Sequence, residues 1–140
     1  SVPFILKGIM NPKTALAAIE AGADAIVVSN HGGRVMDTMP GTAEVLPEIA
    51  SAVAGRVKIL VDGGIREGID VLKMLALGAD AVMIGRPICI AAFGAAQEGV
   101  EFYLNQKRSE LKKAMILTGC PDINHIDPSV IVRDSKGQVY

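Results

Sequence analysis

Ser29-Asn30-His31-Gly32-Gly33-Arg34 concentrates more reactive chemistry than any other stretch, and it follows directly on the apolar run Ala25-Ile26-Val27-Val28. A histidine there can accept a proton near neutral pH. An arginine three residues on can grip a carboxylate through two parallel hydrogen bonds. The glycines between them let backbone approach a ligand closely. One short loop therefore carries a base and an anion clamp, the equipment for taking a proton from a small carboxylic acid. His31 taken alone is as readily a satisfied structural histidine. Its company is what favours chemistry.

Two further loops share a logic of their own. Asp62-Gly63-Gly64-Ile65-Arg66 and Gly85-Arg86-Pro87 each place glycine beside arginine after an apolar run. Amides at a helix start attract phosphate, and Arg66 and Arg86 offer the countercharge. A lone Gly-Gly-x-Arg is weak evidence, because tight turns also use glycine; two such loops on successive strands point to a phosphate site. Lys7 closes a buried run, where a lysine either meets an anion or electron-rich group or snorkels to solvent. Asp37 either contacts the His31 loop or caps a local turn. His125, between Asn124 and Ile126, reads as ordinary surface.

The elements that must position these groups form a repeat. Gly8-Ile9, Leu16 and Gly22-Ala23-Asp24-Ala25 recur 56 residues later as Gly64-Ile65, Leu72 and Gly78-Ala79-Asp80-Ala81. Each copy reads strand, glycine-marked loop, helix, Gly-Ala-Asp turn, strand. Expected strands are Phe4–Lys7, Ala25–Ser29, Lys58–Val61 and Ala81–Ile84. Expected helices are Asn11–Ala21, Thr42–Ala54 with Thr42 as cap, Arg66–Leu77 and Gln97–Leu117, followed by a polar tail from about Gly119. Short non-alternating apolar runs separated by helices are the pattern of parallel strands under a helical cover. Every run delivers its polar residues at its carboxyl end, as in a (β/α)₈ barrel. A complete barrel takes ~250 residues, so four βα units in 140 residues make half of one. The whole chain, 1–140, reads as a single (βα)₄ unit of an α/β TIM-barrel protein. A small open α/β sheet fits the repeat less well.

Composition sets the limits. With 14 basic and 15 acidic residues the net charge is −1, no footprint for nucleic acid or an anionic membrane. Trp is absent and aromatics make up 4%, which leaves little for base stacking. No apolar run approaches the ~18–20 residues needed to span a bilayer. Ser1-Val2-Pro3 does not open a signal peptide, and Cys89 and Cys120 form no CxxC pair and no metal-ligand pattern. They read as reduced thiols of a cytoplasmic protein. The chain opens on a strand without an initiator Met, as an excised piece of a longer protein would.

From Ile5 to Gly119 the sequence resembles the C-terminal half of the FMN-dependent 2-hydroxy acid oxidases and dehydrogenases, a family that includes glycolate oxidase, lactate oxidase and flavin-dependent L-lactate dehydrogenase. Leu6-Lys7-Gly8, Ser29 through Arg34, Asp62 through Arg66, Gly85-Arg86-Pro87 and Leu117-Thr118-Gly119-Cys120 match in order and spacing. The resemblance implies strands five to eight of the barrel, oxidation of an L-2-hydroxy acid of lactate or glycolate type, and FMN as cofactor. His31 would be the base and Arg34 the clamp on the substrate carboxylate. Lys7 would face the flavin N1–C2=O edge and Ser29 the ring region. Asp62 would bind ribityl hydroxyls; Gly63, Gly64, Ile65, Arg66, Gly85 and Arg86 would surround the phosphate. The family's other flavin contacts, its active-site tyrosines and the carboxylate that orients the histidine belong to the first four strands, outside this sequence.

Two other readings stand beside this one. A non-catalytic phosphate- or FMN-binding half-barrel would self-associate to cover its edges, where the parent enzyme would use its N-terminal half or a homo-oligomer. An isopentenyl-diphosphate isomerase-like or inosine-monophosphate dehydrogenase-like barrel would also use the glycine loops. Arg34 argues against that last reading, because it suits a carboxylic acid substrate.

Overall fold

The computed structural model describes residues 2–132. Four strands, β1 (Ile5–Ile9), β2 (Ala25–Val28), β3 (Lys58–Val61) and β4 (Ala81–Val82), form one parallel sheet in chain order. Between them run α1 (Pro12–Glu20), α2 (Thr42–Val53) and α3 (Gly68–Ala76), and α4 (Arg86–Thr118) follows β4. Ile26, Val28, Ile59 and Val61 pack with Leu46, Ile49 and Val53 of α2 and with residues of α1 and α3 in the main core. Strand side chains alternate in direction. Lys7, Ser29 and Asp62 therefore point away from that core, to the sheet's other face.

This is the expected α/β parallel half-barrel, with several boundaries moved. β1 starts at Ile5 and runs on past Lys7 to Ile9, because Gly8, at φ +100°, makes a bulge opposite β2. The bulge also corrects the repeat. Asp24 Oδ2 accepts the N–H of Phe4 at 2.7 Å, and Asp80 Oδ2 accepts the N–H of Ile59 at 2.8 Å. Counting forward from these matched positions makes Lys7 the structural counterpart of Asp62, one residue off the sequence repeat. Ser29 and Ile84 lie beyond the ends of β2 and β4.

Among the helices, Asn11 is the cap of α1, its side chain accepting from Thr14 N–H, and Ala21 is the far cap. Gly41, not Thr42, is the cap residue of α2, and its N–H is taken by Glu44 Oε1 at 2.8 Å; the helix stops at Val53. α3 begins at Gly68 instead of Arg66, because Asp70 Oδ2 holds the N–H groups of Arg66 and Glu67 in a turn before the helix. α4 starts at Arg86, earlier than Gln97, and breaks at Ala95 and Ala96. Beside the break, a Cβ on Gly99 would lie 2.1 Å from the Ala91 carbonyl oxygen, so glycine is what lets the two segments close on each other. Gly119 ends α4 in the left-handed conformation. Among the described residues no helix is long and apolar enough to cross a membrane.

Candidate functional site

Lys7, inside β1, meets Ser29 and Asp62, the residues that directly follow β2 and β3. Lys7 Nζ donates to Ser29 Oγ at 2.6 Å and pairs with Asp62 Oδ2 at 2.8 Å. Ser29 is fully buried, and its Oγ also accepts the His31 N–H at 3.2 Å. It links the lysine to the histidine and presents no surface to a ligand. Asp62 Oδ1 is buried and finds no hydrogen-bond partner among the described residues. A buried carboxylate oxygen left in that state costs free energy unless a donor arrives. Lys7 serves only the other oxygen.

The loop after β2 is a tight 3-10 turn, His31–Gly33, with His31 at φ +57°. Asn30 shapes it from both sides: Oδ1 accepts Gly32 N–H at 3.0 Å, and Nδ2 donates to the Pro40 carbonyl at 3.2 Å. The His31 ring lies against the backbone of Gly8, where an added Cβ would be 2.8 Å from His31 Cε1. Arg34 Nε donates to the His31 carbonyl at 3.3 Å. Both His31 and Arg34 are exposed.

A cavity of about 350 Å³ brings the expected residues together. Lys7, His31, Arg34, Asp62, Arg66 and Arg86 all line it, with Gly63, Gly64 and Gly85 and with Met83 and Cys89. Ile65 lines it too, but its side chain is 2% exposed within the core, so backbone is what it offers. Arg86 lies over Gly32, its Nη2 3.3 Å from where a Cβ would stand. Four cationic side chains against one carboxylate make this wall attractive to anions.

Helix-start amides are expected to share the phosphate grip, but at α3 they are already engaged. Glu67 N–H is taken by Asp70, and Gly68 N–H donates to Glu110 Oε2 at 2.8 Å. The N–H groups of Gly64 and Gly85 donate to no protein acceptor among the described residues. Those two amides, with the guanidiniums of Arg66 and Arg86, line the cavity and are available to an anion.

Four contributors were not found from sequence. Thr42 Oγ1 donates to the Asp62 carbonyl at 2.6 Å and fixes the end of β3. Asp70, Tyr103 and Glu110 hold the Arg66 loop. Asp70, three residues after the Glu67 cap in the first turn of an apolar helix, leaves a legible signal; the contacts from α4 do not. Asp37 forms no hydrogen bond or ion pair among the described residues, and His125 is exposed, its Nδ1 2.7 Å from Asp122 Oδ2. That contact is the main reason the Asp122 carboxyl sits below its usual range.

Parallel βα units with arginines, glycines and a lysine gathered at one rim are the make-up of part of a β/α barrel, and the comparisons narrow that class. Residues 1–133 match the family described as FMN-dependent dehydrogenase, and the chain belongs to it. A 2-hydroxyacid oxidase of Dictyostelium discoideum is 53% identical over 135 residues, 96% of this chain and 35% of the relative. An L-lactate oxidase of Lactobacillus jensenii is 53% identical over 129 residues, 90% of this chain and 32% of the relative. The solved structure of mandelate oxidase with benzoyl-formic acid superimposes with a TM-score of 0.88 at 47% identity, covering 91% of this chain and 38% of the other. A mandelate oxidase mutant carrying an FMN adduct matches equally well, at TM-score 0.88 and 47% identity over 91% of this chain and 41% of the other. The chain thus spans about a third of the length of the curated relatives it matches.

Proposed function

We propose that this chain is the part of an FMN-dependent enzyme that oxidises an L-2-hydroxy acid to the 2-keto acid. What carries the reading is the single cavity that Lys7, His31, Arg34, Asp62, Arg66 and Arg86 share. Its free donors and its free acceptor fit the cofactor. Arg66 and Arg86, with the Gly64 and Gly85 amides, suit a phosphate. The partnerless Asp62 Oδ1 suits a ribityl hydroxyl. Lys7, held by Ser29 and Asp62, suits the electron-rich edge of a flavin ring. FMN, when bound, supplies the two-electron acceptor.

The chain's own residues supply the rest. Arg34 holds the substrate carboxylate through its guanidinium fork and so fixes which face of the α-carbon is presented. A ring nitrogen of His31 takes a proton, from the α-carbon or from the hydroxyl, as the alcohol becomes a ketone. Holding the histidine and the arginine three residues apart in one loop keeps proton acceptor and carboxylate clamp on the same small molecule.

The test uses the protein that contains this chain at its full length. His31→Gln is expected to abolish flavin reduction while leaving FMN bound. Arg34→Lys keeps charge but loses the planar fork, so it raises the substrate concentration needed and slows reduction. Anaerobic stopped-flow mixing with lactate, glycolate and mandelate measures both. A normal reduction rate in His31→Gln overturns the assignment of the base.

A further inference from the structure

We infer that Tyr103, Lys107 and Glu110 on α4 are positioning residues for Arg66, so that the grip on the phosphate end of the cofactor is set from behind the sheet. The inference rests on the reading of Arg66 as a phosphate ligand. Its observations are separate from that reading. Arg66 is held at both backbone ends: its N–H donates to Asp70 Oδ2 at 2.9 Å, and its carbonyl accepts from Tyr103 O–H at 3.3 Å. Two residues on, Gly68 N–H donates to Glu110 Oε2 at 2.8 Å.

The α4 groups are themselves tied together. Lys107 Nζ lies 2.7 and 2.8 Å from the two Glu110 oxygens and 5.1 Å from the centre of the Tyr103 ring. Lys107 is only 8% exposed. A lysine is rarely buried to that extent without a partner that needs it, and neither the proton transfer nor the anion grip uses this one. Its contacts form a circuit: Lys107 orients the Glu110 carboxylate and sits on the Tyr103 ring, and those two hold the backbone on either side of Glu67. The Arg66 side chain turns back on its own loop, Nη1 donating to the Ile65 carbonyl at 3.1 Å. A guanidinium at the tip of a loose loop would have to be ordered each time an anion bound. Here that ordering is built into the fold.

The measurement is affinity for FMN against riboflavin, which lacks the phosphate, by flavin fluorescence quenching on the full-length apoprotein. Tyr103→Phe removes one hydroxyl from a partly exposed contact and keeps the ring. It is expected to weaken FMN by roughly 5- to 20-fold, within the range of coupling between contacting groups, with riboflavin affinity unchanged. Glu110→Gln keeps an acceptor for Gly68 N–H but loses the charge facing Lys107, and weakens FMN in the same selective way. In an Arg66→Ala background, Tyr103→Phe costs nothing further. Equal loss of FMN and riboflavin, or full FMN affinity in both variants while Arg66→Ala weakens it, overturns the inference. Full FMN affinity in Arg66→Ala instead removes the phosphate assignment beneath it.

Discussion

His31 owes its place to a glycine on the neighbouring strand. Gly8 sits at φ +100°, and a Cβ there would come within 2.8 Å of His31 Cε1. Gly8→Ala therefore strains the bulge and displaces the ring at once. It is expected to leave FMN bound and slow flavin reduction roughly 10- to 100-fold, the cost of a small misplacement of a reacting group. Rapid-reaction kinetics at saturating substrate measures this; a wild-type rate shows that the ring does not depend on that contact. The residues that carry charge were legible in the sequence, because histidine, arginine and aspartate beside glycine at the ends of apolar runs have few structural uses. The residues that place them were not. Gly8 reads as the mark of a loop after a strand, Ser29 as a ligand contact and Thr42 as a cap, yet each acts through a neighbour distant in sequence. Only the bulge and the fully buried Ser29 Oγ reveal that Lys7, His31 and Asp62 are wired together.

Elements meet through devices of the same kind. α3 begins against α4 at Gly68, where a Cβ would lie 2.2 Å from Leu111 N and 2.6 Å from the Glu110 carbonyl carbon. Backbone does not yield as a side-chain tip would, so Gly68→Ala drives the two helices apart. The expected cost is about 1–3 kcal/mol, read as a lowered urea midpoint; an unchanged midpoint shows that the helices move freely. The Gly-Ala-Asp turns explain why the repeat exists: Asp24 and Asp80 each tie the start of a strand to the one before it. Burial alone would push the Asp80 carboxyl up. The hydrogen bond from Lys58, that from Ile59 N–H and the Lys58 charge outweigh it and hold the carboxyl below its usual range. A folded-state value below the unfolded one means the contribution is complete above the ordinary aspartate range and fades as pH falls through the folded value. Asp80→Asn is expected to lower the urea midpoint at pH 7 and flatten its further decline toward pH 3. A decline as steep as wild type shows that the acid response arises elsewhere. Strand order and helix number were legible because apolar runs and caps are local. The bulge, the break at Ala95–Ala96 and the late start of α3 were not, since each is settled by backbone packing across the sheet or along α4.

At the scale of the molecule, the sheet has two ends. Among the described residues β1 pairs only with β2 and β4 only with β3, and Ile5 of β1 and the flanking Phe4 and Met83 are exposed. Unpaired strand edges carrying apolar side chains seek a partner. The relatives are longer, and this chain matches only about a third of each. The site has the same unfinished character. Among the described residues no group accepts from or donates to the His31 ring nitrogens, and Arg34 reaches no acceptor beyond its own loop. A base whose ring is unoriented loses much of its advantage, because catalysis by proton transfer depends on a fixed tautomer and direction. The side proposed for the cofactor differs: Lys7, Asp62 and the Arg66 backbone are held by groups of this chain, and Arg86 lies over Gly32. The two halves of the task should therefore separate when the 140-residue chain is made alone. We expect it to bind FMN weakly, more tightly than riboflavin, and to show no measurable flavin reduction by lactate, glycolate or mandelate under anaerobic conditions. Sedimentation alongside the flavin titration tells whether any binding belongs to a monomer or to a self-associated form that covers the edges. Brisk reduction of bound flavin by any of the three acids would mean that this chain orients His31 without help, and that the remaining two thirds of the relatives serve some purpose other than completing the catalytic site.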